Sequence, residues 1–125
     1  MSRTALLIGG NGFVGTHMSK KLEKNKYHVI STGSETDIRK PEEIEILVRN
    51  SKPELVINFA ALTTVRETID EPLKTYEIGF IGTLNLLTAL KKINFKGVYL
   101  NISSSEIYGF PEANDLPLIE DSPKK

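Results

Sequence analysis

The sequence predicts an α/β fold built on a parallel sheet, and three observations predict it. Short apolar runs at 5–8, 29–30, 55–57 and 98–102 alternate with three stretches of helical periodicity. Alternation of this kind closes into a parallel sheet through right-handed crossovers. The first apolar run leads at once into Gly9, Gly12 and Gly15, a G-x-x-G-x-x-G spacing. The third observation is size: 125 residues are enough for one domain with a real core, and no linker, repeat or low-complexity tract divides them.

Residues 4–8 read as a buried strand, because consecutive positions are apolar and both sheet faces must then be covered. Past the glycines, Phe13, Val14, Met18 and Leu22 recur at helical spacing, while Lys20, Lys21, Glu23 and Lys24 take the wet face. Asn25 and Lys26 end that helix. Residues 27–32 form the second strand, which exits through Gly33 and Ser34 into a loop over 35–40. Pro41 suits the first position of a helix, and Glu42 and Glu43 suit its positive end. Ile44, Leu47 and Val48 give that helix its apolar stripe, and residues 50–53 stop it. Residues 55–57 are the third strand and run into Asn58-Phe59-Ala60-Ala61.

Glu71-Pro72 opens the longest helix, which runs to about Lys92. Tyr76, Phe80, Leu84 and Leu87 mark one face, and Leu73, Ile81 and Leu90 extend it. Gly79 and Gly82 inside it predict close packing, since each costs about 1 kcal/mol against alanine. Residues 98–102 are the fourth strand, which exits into Ser103-Ser104-Ser105-Glu106. From Phe110 onward Pro111, Pro117 and Pro123 predict an irregular tail to a single domain spanning 1–125. The economical strand order is 3-2-1-4. It sets the exits of strands one and four side by side at the switch point of a doubly wound sheet, where ligands bind.

Composition narrows the function. Sixteen basic residues balance sixteen acidic ones, which gives no call for nucleic acid or an anionic membrane as partner. There is no cysteine, so no disulfide framework and no thiolate metal site; a reducing cytoplasm fits. His17 and His28 lack a second ligand at metal spacing, so no metal is expected. No apolar run is long enough for a membrane span. On spacing alone the glycine stretch is either a phosphate cradle or a turn joining strand to helix. The strand before it and the helix after it favour the cradle, since a helix N-terminus offers unpaired N–H groups and a positive dipole end to an anion.

Five motifs in order carry a resemblance: Gly9-x-x-Gly12-Phe13-Val14-Gly15, Asp37-Ile38, Asn58-Phe59-Ala60-Ala61, Gly82-Thr83, and Ser103 through Gly109. The chain resembles the extended short-chain dehydrogenase/reductases, the NAD-dependent epimerase/dehydratase group acting on nucleotide sugars, over residues 4 to about 122. The resemblance implies a Rossmann-type sheet that stops after its fourth strand, as the N-terminal portion of a longer enzyme. It implies that Gly9, Asn11, Gly12, Phe13, Val14 and Gly15 hold a pyrophosphate, and that Ser34, Asp37 and Ile38 border the adenine. Phe59, Ala60, Ala61, Thr63 and Ser103 would line the cofactor trough. Ser104 would be the catalytic hydroxyl, and Glu106 the acid that dehydratases carry there. Read from the residues alone, the serines equally cap a turn and Glu106 is equally a solvated loop acid, while Tyr108 reads as packing.

The implied cofactor is NAD, with NADP open: Glu35 is placed to reach ribose hydroxyls, while Gly33 and Ser34 beside Arg39 or Lys40 leave room for a 2′-phosphate. The implied partner is a nucleotide-sugar substrate, with a homo-oligomer compatible because strand four would be a bare edge. The departures are specific. Ile8 stands where threonine is common, and Gly79 stands where the family has asparagine. The family's Tyr-x-x-x-Lys base is not found: the residues four beyond Tyr27, Tyr76, Tyr99 and Tyr108 are Ser31, Phe80, Ser103 and Glu112. Two alternatives stand beside a hydride-transferring epimerase or dehydratase: a non-catalytic dinucleotide-binding module, and a ketoreductase of the dTDP-4-dehydrorhamnose reductase type, to which the short 33–37 stretch is similar.

Overall fold

β1 (Arg3–Ile8) is the strand on which the others assemble, and its last four residues, Ala5 to Ile8, are fully buried. The computed structural model describes residues 3–61 and 64–124. α1 (Phe13–Lys24) returns the chain to β2 (Tyr27–Ser31), which pairs parallel with β1. α2 (Pro41–Ser51) carries it across to β3 (Leu55–Asn58), parallel to β1 on the other side, with Leu6 opposite Val56 and Ile8 opposite Asn58. β4 (Val98–Asn101) pairs parallel with β3.

The α/β class and the Rossmann-type parallel sheet are as expected, but the strand order is not 3-2-1-4. The sheet runs β2-β1-β3-β4. The switch point therefore lies between β1 and β3, and β4 stands one strand farther out. The physical reason is burial. Val56, Ile57 and Asn58 are buried on both faces, whereas β2 is only half covered and β4 is largely exposed. The two strands with continuous apolar character take the centre, where both faces are covered.

Alternation along the central strands divides the core. Ala5, Leu7 and Ile57 point to the α1 side, where Leu22 and Met18 meet them. Leu6, Ile8 and Val56 point to the other side, where Ile44 and Val48 of α2 meet Leu86, Ala89 and Leu90. Each of these large side chains contributes about 1.5–3 kcal/mol by burial.

Between β3 and β4 the chain forms α3 (Val65–Asp70), α4 (Pro72–Tyr76), a π-helical turn (Glu77–Gly82) and α5 (Thr83–Lys92). The expected helix 72–92 is thus one helical run carrying a π-turn. Gly82 bears out the close packing: a Cβ there would lie 2.5 Å from Cγ2 of Ile38. At Gly79 a Cβ would meet nothing within 4 Å, so no such packing exists there. The tail is irregular apart from two short 3₁₀ turns, Ser105–Tyr108 and Ala113–Asp115.

Leu6 is fully buried and Ile46 is 58% exposed on the outer face of α2. Urea unfolding will show Leu6→Ala losing about 2–5 kcal/mol and Ile46→Ala less than about 1 kcal/mol. Equal losses would contradict the two-sided core.

Candidate functional site

The site begins where β1 must leave the sheet without room for side chains. Gly9 has φ +70°, and a Cβ on it would sit 3.0 Å from the backbone nitrogen of Ala60 at the exit of β3. At Gly15 a Cβ would run into the carbonyl group of Gly10, so the first turn of α1 can press against the loop only without a side chain. Gly12 differs: a Cβ there would meet only the Gly9 carbonyl oxygen, at 3.8 Å. The backbone at Gly12 is open to solvent rather than filled by protein.

α1 starts there. Its first intrahelical bond runs from the Thr16 N–H to the Gly12 carbonyl at 3.0 Å, and Gly12 supplies no side-chain cap. The preceding N–H groups, of Phe13, Val14 and Gly15, are the ones a helix cannot satisfy for itself. Three unsatisfied donors, an open backbone and the positive end of a twelve-residue helix make an anion cradle.

Thr32 holds the turn in place, a role the sequence reading passed over. Its buried hydroxyl accepts from the Gly9 N–H at 3.3 Å, its own N–H donates to the Leu7 carbonyl at 2.9 Å, and its carbonyl accepts from the Asn11 N–H at 3.3 Å. The Asn11 side chain takes a bond from the Ser31 hydroxyl at 2.8 Å. Asn11 is therefore a strut between the turn and β2.

Two adjoining clefts share Gly9, Ala60 and Ala61 and so form one trough across the carboxyl ends of β1 and β3. The larger, about 760 Å³, brings together Gly12, Phe13, Val14, Gly15, Phe59, Ser103 and Ser104, with Ile102 added by the structure. The smaller, about 350 Å³, gathers Gly33, Ser34, Asp37, Ile38 and Arg39, with Lys74 and Ile78 added. Most of the expected site residues thus meet on one surface. Glu106 stands outside the trough lining, exposed in the turn after Ser104, and its N–H donates to the Ser104 hydroxyl oxygen at 3.2 Å. Thr63 lies outside the described residues.

Asn58 fixes the β3 side of the trough. Its buried amide donates to the Thr83 hydroxyl at 3.2 Å and to Oδ1 of Asn101 at 3.3 Å, and its Oδ1 accepts from the Ala60 N–H at 3.1 Å. Thr83 in turn donates to the Gly79 carbonyl at 2.7 Å, within the π-turn.

Charge at the smaller cleft is arranged in pairs. Arg39 grips Asp37 with Nε and Nη2 at 2.9 and 2.8 Å and reaches Glu77 with Nη1 at 3.2 Å. The hydrogen bonds from Arg39 hold the Asp37 carboxyl well below its usual range, at about 2. Glu35 folds back to accept from the Gly33 N–H at 2.6 Å, and that bond lowers its pKa. Lys40 is taken up by Glu43 at 2.9 Å.

Another cleft, about 570 Å³, lies at the amino ends of the strands between Arg49, Lys52, Phe95 and Lys96. It has neither a glycine turn nor a helix N-terminus. Among the described residues no group of three His, Cys, Asp or Glu side chains gathers as a metal site, and no helix is long and apolar enough to cross a membrane.

With this geometry in hand, comparison with known proteins is specific. Residues 5–125 match the family model described as NAD dependent epimerase/dehydratase family. The chain is 33% identical over 123 residues to GDP-6-deoxy-D-mannose reductase of Pseudomonas aeruginosa, covering 97% of this chain and 40% of that protein. The structure of RMD from Pseudomonas aeruginosa complexed with NADPH superposes with a TM-score of 0.84 at 32% identity, covering 100% of this chain and 42% of that one. UDP-glucose 4-epimerase from Bifidobacterium longum, in complex with NAD+ and UDP, superposes with a TM-score of 0.85 at 29% identity, covering 98% of this chain and 42% of the other. The chain thus spans about 40% of the length of the curated relatives it matches.

Asp37 supplies a pH test. Its folded pKa lies below the unfolded value of 3.8, so its contribution is complete above that value and is lost as pH falls toward about 2. Acid titration of Asp37→Asn will show a flatter stability profile between about pH 4 and 2 than the parent, and a single-residue ¹³C titration of Asp37 will show its midpoint below 3.8. A midpoint at or above 3.8 would contradict the Arg39 clamp.

Proposed function

The chain belongs to the NAD-dependent epimerase/dehydratase family, and on that premise we propose that it is the dinucleotide-binding part of a nucleotide-sugar epimerase or reductase. The observation that supports this most strongly is the open backbone at Gly12 beneath three unsatisfied N–H groups at the switch point. The residues fit the cofactor: a cradle without side chains takes the pyrophosphate on Phe13, Val14 and Gly15. The cleft at Ser34, Asp37 and Ile38 takes the adenosine, and the trough wall at Ala60, Ala61 and Ser103 takes the nicotinamide half. NAD(P) bound there supplies a hydride acceptor and donor for a sugar carbon.

The chain's own groups do the remaining work of this reading. Ser104 lines the trough, and its hydroxyl oxygen accepts from Glu106, so its proton is free to donate toward a sugar carbonyl or hydroxyl. In this reading Glu106, exposed two residues after Ser104 and outside the trough lining, is the acid that moves a proton in an elimination. The tyrosine that would serve as base, with a lysine four residues on, is not among these 125 residues. In this reading these 125 residues hold the cofactor and bring Ser104 to the substrate. A cytoplasmic location accords with the cysteine-free composition.

Calorimetric titration with NAD and NADP tests the reading. Saturable binding of at least one, with Kd below about 1 mM, is expected. No binding by a folded sample would overturn it. Gly12→Val will keep the parent's thermal midpoint within a few degrees, because its side chain enters open space, yet bind at least about tenfold more weakly. Gly15→Val will instead fail in folding, because its side chain meets the Gly10 carbonyl.

A further inference from the structure

NAD and NADP differ at one group: NADP carries a phosphate where NAD carries the 2′-hydroxyl of its adenosine ribose. Sequence alone leaves the choice between them open. A ribose that joins the cradle at Gly12 to the adenosine cleft at Asp37 and Ile38 passes Gly33, which lines that cleft with Gly9 and Ser34.

Two side chains converge over Gly33. A Cβ there would lie 2.7 Å from Nδ2 of Asn11 and 2.8 Å from Oε2 of Glu35, so both groups sit in the space that a side chain at 33 would fill. Each side chain is half engaged. Oε1 of Glu35 accepts from the Gly33 N–H at 2.6 Å, while Oε2 accepts from no other residue among those described. Oδ1 of Asn11 accepts from the Ser31 hydroxyl at 2.8 Å, while Nδ2 has no acceptor among them. A free acceptor beside a free donor suits a hydroxyl, which donates to the one and accepts from the other. It does not suit a phosphate, which carries about 1.5 to 2 negative charges at neutral pH and meets Glu35 as a like charge. The Gly33 N–H lowers the pKa of Glu35 and so keeps it ionised.

The cations around this cleft are already engaged. Arg39 has the planar fork best shaped for a phosphate, and it is bonded three ways to Asp37 and Glu77. Lys40 pairs with Glu43 at 2.9 Å, and Lys74 with Glu71 at 2.7 Å. The two lysine pairs are exposed and contribute little to stability, but turning either lysine to a phosphate leaves a carboxylate unpaired.

We propose that this site selects NAD over NADP, with Glu35 as the residue that selects and Asn11 as the donor opposite it. The proposal rests on the dinucleotide reading of the trough and adds to it which cofactor is taken. Glu35 reaches the spot by folding back over residue 33, so the glycine there is part of the device.

Calorimetric titration of the 125-residue chain with NAD, and separately with NADP, reads the ratio of the two dissociation constants. NAD is expected to bind at least about tenfold more tightly. The ratio is expected to shrink as salt rises from about 50 to about 500 mM, because the repulsion acts at an exposed carboxylate. Glu35→Gln keeps an acceptor for the Gly33 N–H and removes the charge. It is expected to bring the ratio to within about threefold, chiefly by tightening NADP, and to abolish its salt dependence. Glu35→Arg is expected to invert the preference. Both variants are expected to keep the parent's far-UV circular dichroism, since the side chain is exposed. Binding of neither cofactor by the folded chain overturns the dinucleotide reading and this proposal with it. NADP binding as tightly as NAD, or an unchanged ratio in Glu35→Gln, overturns the proposal alone and leaves the dinucleotide reading standing.

Discussion

Everything at the carboxyl end of this sheet depends on how closely three backbone segments approach one another. The exit of β1, the exit of β3 and the first turn of α1 converge where Gly9 lies against Ala60 and Gly15 against Gly10. No side chain fits at either contact. That constraint sets the depth of the trough and aims the free end of α1 into it. Thr32 matters for the same reason. With one hydroxyl and two backbone groups it ties the turn to β2, so the cradle is held on both sides before any ligand arrives.

The wall opposite depends on a second, polar device. A buried asparagine is costly unless its amide is satisfied, and Asn58 is satisfied by three elements at once: the Ala60 N–H, Thr83 and Asn101. The same residue thus registers β3, β4 and the start of α5 against one another. The π-turn continues this link through Thr83 and Gly79, and it passes the Gly82 position close over Ile38, whose carbonyl Asn85 also holds. The loop that borders the smaller cleft is anchored from that side, and from below by the Asp37–Arg39–Glu77 ion pairs.

Much of this was legible in the sequence, for definite reasons. Apolar periodicity located the four strands, α1, α2 and the helical run from α4 to α5, and the glycine spacing located the cradle. The neighbour order was not legible from alternation, because right-handed crossovers do not say in which direction the chain steps. A usable signal was present: residues 55–57 are uniformly apolar, whereas 27–32 include His28, Ser31 and Thr32, so the former belonged in the centre. α3 was missed although Thr64 and Glu67 announce it; the Thr64 hydroxyl caps the Glu67 N–H at 3.2 Å. Thr32 was missed because a threonine ending a strand looks ordinary until its partners, more than twenty residues away, are known. Lys74 and Ile78 reach the trough only through the path of α4 and the π-turn, which no local pattern reveals.

The central claim is that the switch-point trough, and not the cleft at the other end of the sheet, receives a dinucleotide. Backbone amide mapping by ¹⁵N NMR during titration with NAD or NADP tests it most directly. The predicted result is that the largest shifts fall on the amides of Gly12 to Gly15 and of Ala60 and Ala61, with those of Lys52 and Phe95 to Gly97 unmoved. Shifts concentrated on Lys52 and Phe95 to Gly97, or none on Gly12 to Gly15 at saturation, would contradict it.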